Sequence, residues 1–98
     1  MPSVAARNLT FEWDDAKAAA NAEKHGVAFA EAVAIFADHR TVEIDATRQI
    51  DGESRLKAIG SLGGRLMTVV FTRRGPVHRV ISARRSNRSE ERAWRGLS

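Results

Sequence analysis

A chain of 98 residues can build one hydrophobic core and is too short for two. It contains no cysteine, which excludes a disulfide framework and a thiolate zinc site and suits a reducing cytoplasm. Net charge is +4, yet residues 1–72 hold eight Lys/Arg against ten Asp/Glu, while residues 73–98 hold eight Arg against two Glu.

The opening MPSVAARNLT lacks the apolar run of a signal peptide, and no stretch nears the ~20 apolar residues of a membrane span. A soluble, cytoplasmic protein without membrane contact is the expectation. Residues 1–9 read as a flexible lead-in, with a single domain over 10–98. Thr10 to Trp13 alternates polar and aromatic residues, as a short strand does. Asp14 or Asp15 can cap a helix running through Lys24, and Gly26 is placed to end it. A second helix is expected near Phe29 to Ala37, with Phe29, Ala32, Val33 and Phe36 on its buried face. Ala28 caps it poorly.

From Thr41 the period changes to two. Val42, Ile44 and Ala46 alternate with Glu43, Asp45 and Thr47, and residues 48–52 form a turn. Arg55 to Leu62 is a strand, Gly63-Gly64 a tight hairpin, Leu66 to Thr72 a central strand and Val77 to Ala83 the last strand. Asn87 or Ser89 can cap a final helix containing Glu90 to Trp94. The fold class is α+β: two helices on one face of an antiparallel sheet of about four strands, plus a carboxyl-terminal helix.

Three segments could carry chemistry. Lys24-His25-Gly26 puts a cation and an imidazole at a helix carboxyl end, although helix termination alone explains the tripeptide. On a regular strand Arg79, Ile81, Ala83 and Arg85 would share one face, and His78, Val80, Ser82 and Arg84 the other. In the segment Gly52-Glu53-Ser54-Arg55, Arg55 shares a strand face with Lys57 and Ile59. Each arginine set could equally be a solvated, salt-bridged surface. Clustered guanidinium groups nevertheless suit phosphate, which they bind through paired planar hydrogen bonds, so nucleic acid and an acidic protein are the two partner classes.

Phosphate loops and GxSxG elbows are absent, and His25, His39 and His78 lack the spacing of a zinc site. RNA needs neither cofactor nor metal for cleavage, because its 2′-OH can attack the adjacent phosphodiester. Cations, a proton acceptor and in-line positioning suffice.

Taken together the segments resemble one known family. Phe11-Glu12-Trp13-Asp14, Lys17, Asn21, Lys24-His25-Gly26-Val27 and Phe29 are similar to the amino-terminal signature of BrnT toxins. The likeness continues through Ala32, Phe36, Asp38, Gly52-Glu53-Ser54-Arg55 and Gly60 to Arg79-Val80-Ile81-Ser82-Ala83-Arg84-Arg85, Glu90 and Arg92. It covers roughly residues 11–94. Ala28, where a small polar cap is usual, and Trp94, where tyrosine is usual, depart from the pattern. An indole N–H cannot supply a tyrosine's acid or base function.

The resemblance implies a RelE-like fold and a ribonuclease toxin that inhibits translation without a metal or cofactor. It implies neutralisation by a cognate BrnA-like antitoxin, a DNA-binding dimer through which DNA is contacted. RNA, free or on the ribosome, would be the substrate. Lys24, His25, Arg55, Arg79 and Arg84 are the expected catalytic residues, with Lys57, Arg85 and Arg88 as further RNA contacts. The rival reading is a basic RNA- or ribosome-binding module that does not cut.

Overall fold

The computed structural model describes residues 3–6, 9–48, 50 and 52–97. Strand β1 (Ser3–Ala6) lies in the expected lead-in and pairs antiparallel with β2 (Leu9–Glu12). Asp14 then caps helix α1 (Asp15–His25), its carboxylate accepting the Lys17 backbone N–H at 3.0 Å. Gly26, at φ 70°, closes the helix by donating its N–H to the Ala22 carbonyl at 2.8 Å.

The second helix comes in two parts. A single turn, α2 (Phe29–Ala32), passes into a 3-10 segment at Val33–Ala37. Ala28 gives α2 no side-chain cap, as the sequence suggests. Phe29, Ala32, Val33 and Phe36 are buried as expected, because spacings of three and four residues serve both helix types.

Four further strands follow: β3 (Val42–Asp45), β4 (Leu56–Leu62), β5 (Arg65–Arg74) and β6 (Val77–Arg85). Gly63 and Gly64, at φ 59° and 82°, form the β4–β5 turn. The turn expected over 48–52 lies partly outside the described residues. Helix α3 (Arg88–Leu97) completes the chain. A reciprocal capping box starts it: the Glu90 N–H donates to Asn87 Oδ1 and the Asn87 N–H donates to Glu90 Oε1, both at 2.9 Å.

The sheet has six strands in the order β1-β2-β6-β5-β4-β3. This corrects the expected four antiparallel strands, because β2 runs parallel to β6 and makes the sheet mixed. Alternation within a short segment reports a strand and not its partner. Here the parallel partner of β2, unlike its antiparallel partner β1, lies in the last quarter of the chain.

Helices α1 and α2 and the 3-10 segment cover one face over Phe11, Ala58, Val69, Phe71, Val80 and Ala83, all at most 2% exposed. Phe11, Phe36 and Phe71 surround His78, which stacks on Phe71 at 4.8 Å. Helix α3 packs against β4 on the second face and buries Glu90 there.

Candidate nucleic-acid interface

Strand β6 does not alternate regularly. Thr72, Val70 and Thr68 of β5 stand opposite Arg79, Ser82 and Arg84, while Phe71 stands opposite Val80. Ile81 is therefore an extra residue, a β-bulge that reverses the side-chain phase. Arg79, Ser82 and Arg84 share one face, and His78, Val80, Ala83 and Arg85 share the other. The sequence expectation put Arg79 and Arg84 on opposite faces, and the bulge corrects it.

Neighbouring strands add to the Arg79–Arg84 face. Lys57 pairs with Val70 and Ile59 with Thr68, so Lys57 lies on it, and half-buried Arg55 stands immediately before β4. On the far side Glu12 of β2 is in register with Arg79, and their side chains form an ion pair at 3.3 Å. One face thus gathers Lys57, Arg79 and Arg84 with the hydroxyl residues Thr68, Thr72 and Ser82. Thr72 is 2% exposed, and its hydroxyl has no hydrogen-bond partner among the described residues.

Glu90 stands at the centre of the cations. Its carboxylate, 1% exposed, accepts from Arg84 Nη1 at 2.7 Å and Nη2 at 2.8 Å, in a two-pronged fork. Lys57 Nζ donates to it at 3.1 Å and the Thr68 hydroxyl at 3.0 Å, beside the Asn87 N–H of the capping box. Burial pushes this carboxyl up, but Arg84, the Asn87 amide, Lys57 and Thr68 together outweigh it and hold it at about 2. The same fork raises the Arg84 guanidinium above its ordinary value. Glu90 is ionised and saturated with donors, so it orients cations and does not accept a proton near neutrality.

The remaining expected residues lie elsewhere. Arg85, opposite Met67, falls on the helix-covered side, and Arg88 is exposed in the first turn of α3. Lys24 and His25 lie off the arginine face. They line a hollow between α1 and β6 with Lys17, Ala20, Asn21, Ile81 and Ser82. Asn21 fixes that junction: it accepts the Ala83 N–H at 3.1 Å and donates to the carbonyls of Ala83 at 2.8 Å and Val27 at 3.0 Å. Among the described residues no group of three His, Cys, Asp or Glu side chains could hold a metal. No helix is long and apolar enough to cross a membrane.

A family model described as "Ribonuclease toxin, BrnT, of type II toxin-antitoxin system" matches residues 13–90. The chain belongs to the BrnT family. The matched span runs from Trp13 to Glu90 and so takes in α1, the bulged β6 and the carboxylate that gathers its cations. A type II BrnT toxin has an antitoxin as its partner. No curated protein matches the chain.

Sequence reasoning missed Glu90, Thr68, Glu12 and Asn21 as parts of this arrangement. The signal for Glu90 was available, since Asn87-x-x-Glu90 has capping-box spacing and directs the carboxylate back toward the end of β6.

Proposed function

We propose that this BrnT-family chain, RelE-like over residues 10–98, is a metal-independent endoribonuclease that blocks translation by cutting messenger RNA. In this reading it acts in the cytoplasm, on RNA free or on the ribosome, and a BrnA-type antitoxin neutralises it. The antitoxin supplies the dimeric DNA-binding unit, so that the complex represses its own operon. The observation that carries the reading is the convergence of Lys57, Arg79 and Arg84 on one sheet face, with Arg55 just before β4, in a ribonuclease-toxin family member.

The chemistry asks little else of the protein. The ribose 2′-oxygen attacks the adjacent phosphorus and loses its proton. The P–O5′ bond breaks, and a proton reaches the departing 5′-oxygen, leaving a 2′,3′-cyclic phosphate and a 5′-hydroxyl. Arg55, Arg79 and Arg84 hold the phosphate and stabilise charge on the phosphorane-like transition state. Lys57 adds positive field. Arg85 and Arg88 contact RNA outside the reacting phosphate. Lys24 and His25, at the strand edge beside Ser82, orient the substrate or move its protons.

A second reading, a basic RNA- or ribosome-binding module that does not cut, is favoured by one observation. Glu90 already neutralises part of the charge on Arg84 and Lys57. End-labelled RNA incubated with the purified chain and a metal chelator separates the two. The ribonuclease yields fragments ending in cyclic phosphate, and Arg79→Ala lowers the rate by about 100-fold. Binding without fragments leaves only the module. Induced expression in a bacterium, with and without the neighbouring reading frame, tests arrest and its relief.

A further inference from the structure

The hollow between α1 and β6 differs from the molecule's other described concavities. Asp38 and Glu43 line one, Asp38 a second and Glu31 a third. The α1–β6 hollow is lined by Lys17, Lys24 and His25 and by no carboxylate. Its volume is about 250 Å³. That is below the ~300 Å³ at which pockets enclosing a whole small ligand begin, so it can take one part of a polymer, a base or a ribose phosphate, and not enclose a free ligand.

Its construction is fixed on both sides. The Asn21 side chain ties α1 to the backbone of Ala83, so the helix cannot drift from the strand. The bulge brings Ile81 to the lining and sets Ser82 beside it. Ser82 belongs to two places at once. It lines the hollow, and it shares a sheet face with Arg79 and Arg84. A nucleic-acid strand crossing the edge of β6 at Ser82 would pass from one cationic surface directly to the other.

We infer that this hollow is a nucleotide subsite, seating one nucleotide of the RNA next to the phosphate held on the Arg79–Arg84 face. The inference rests on the ribonuclease reading for the identity of the strand, and it assigns Lys17 and Ile81 a part in binding. Lys17 and Lys24 meet phosphate, and Ile81 and the His25 ring offer an apolar and planar surface to a base.

The test uses the full chain, 15N-labelled and titrated with uridine 3′-monophosphate and adenosine 3′-monophosphate, with inorganic phosphate as control. Amide shifts are expected at Ala20 to Gly26 and Ile81 to Ala83, at lower concentrations of nucleotide than of phosphate. Shifts confined to Thr68, Val70 and Thr72, or phosphate binding as tightly as either nucleotide, would overturn the subsite. For an uncleavable 2′-O-methyl RNA, Lys17→Ala combined with Ile81→Ala should weaken binding about tenfold. The salt slope should fall by about one for the lysine removed. Both substitutions are at surface-accessible positions, and a matching thermal transition verifies the fold. Unchanged affinity in that variant sinks the subsite even if RNA is still cleaved. Nucleotide binding in the hollow without any cleavage upholds the subsite and fails the ribonuclease reading.

Discussion

Arg84 and Glu90 face each other across the start of α3, with both guanidinium nitrogens on the carboxylate at 2.7 and 2.8 Å. Lys57 completes the triad from β4 at 3.1 Å. Removing the carboxylate leaves two cations, only 30% and 25% exposed, without their counter-charge. Breaking a buried pair costs about 3–5 kcal/mol, and partial exposure of the cations puts Glu90→Gln near or below the lower end. Urea unfolding should show the loss. The same variant should bind RNA more tightly and with a steeper salt dependence, because Arg84 and Lys57 recover their full charge. A variant that loses stability and RNA affinity together contradicts the role given to this triad.

The triad also sets an acid limit. Glu90 titrates at about 2 in the folded chain, against 4.5 for an ordinary glutamate. A depressed carboxyl stabilises the fold fully above its unfolded value, and that stability is lost as pH falls from 4.5 toward 2. The difference corresponds to about 3 kcal/mol at about 1.4 kcal/mol per unit. Denaturant midpoints measured from pH 7 to pH 2.5 should fall steeply in that window. Glu90→Gln should flatten this limb while lowering the plateau above it.

The helices and hairpins were legible because their signals are local. Asp14, Gly26, the Gly63-Gly64 pair and Asn87 each act within a few residues of where they stand. The arginine face was legible only in part. Lys57 followed from simple alternation, whereas the agreement of Arg79 with Arg84 depends on the bulge at Ile81. That bulge sits in the apolar run Val80-Ile81 with no glycine or proline to mark it. The parallel pairing of β2 with β6 joins Glu12 to Arg79 across 67 positions, and no local pattern encodes such a distance.

Asn21 offers a separate check on the α1–β6 junction. Its amide pairs with both backbone groups of Ala83, beyond the point where β2 stops covering β6. Asn21→Leu keeps the branched shape at a larger volume and strands the Ala83 N–H and C=O, at about 1–3 kcal/mol for each group left unpaired. Asn21→Asp should also destabilise, because a carboxylate cannot donate to the Ala83 and Val27 carbonyls. Thermal unfolding measures both costs. Faster amide hydrogen exchange at Ala83, with β5 unaffected, would localise them.

Gly60 is held by a close approach. A Cβ built there meets Thr41 Oγ1 in a hard clash and Ile35 Cβ at 2.9 Å. Thr41 cannot move aside cheaply, since its hydroxyl donates to the Ile35 carbonyl at 2.6 Å. Gly60→Ala should therefore destabilise by about 1–3 kcal/mol, the usual cost of overpacking. Thr41→Ser should recover little, because the clashing atom is the hydroxyl that serine retains. Thr41→Val exchanges that oxygen for a methyl and should recover less still. Denaturant unfolding of the three variants orders these outcomes.

His78 gives the fold a second dependence on acid. It is 3% exposed among Phe11, Phe36 and Phe71, and its Nδ1 has no partner among the described residues. Burial pushes the imidazole below 6.5, the Arg73 charge lowers it further, and Glu43 opposes both. A histidine depressed in the folded state is neutral there, so its contribution is whole above 6.5 and declines as pH falls below that value. Phenylalanine fits the same aromatic surroundings and cannot take up a proton. His78→Phe should thus lose less stability than the parent chain between pH 7 and pH 5.5. The two should respond alike above pH 7, apart from a constant offset. Equal slopes in both ranges would mean that the imidazole takes up its proton inside the aromatic cluster as readily as in the unfolded chain, contrary to its surroundings.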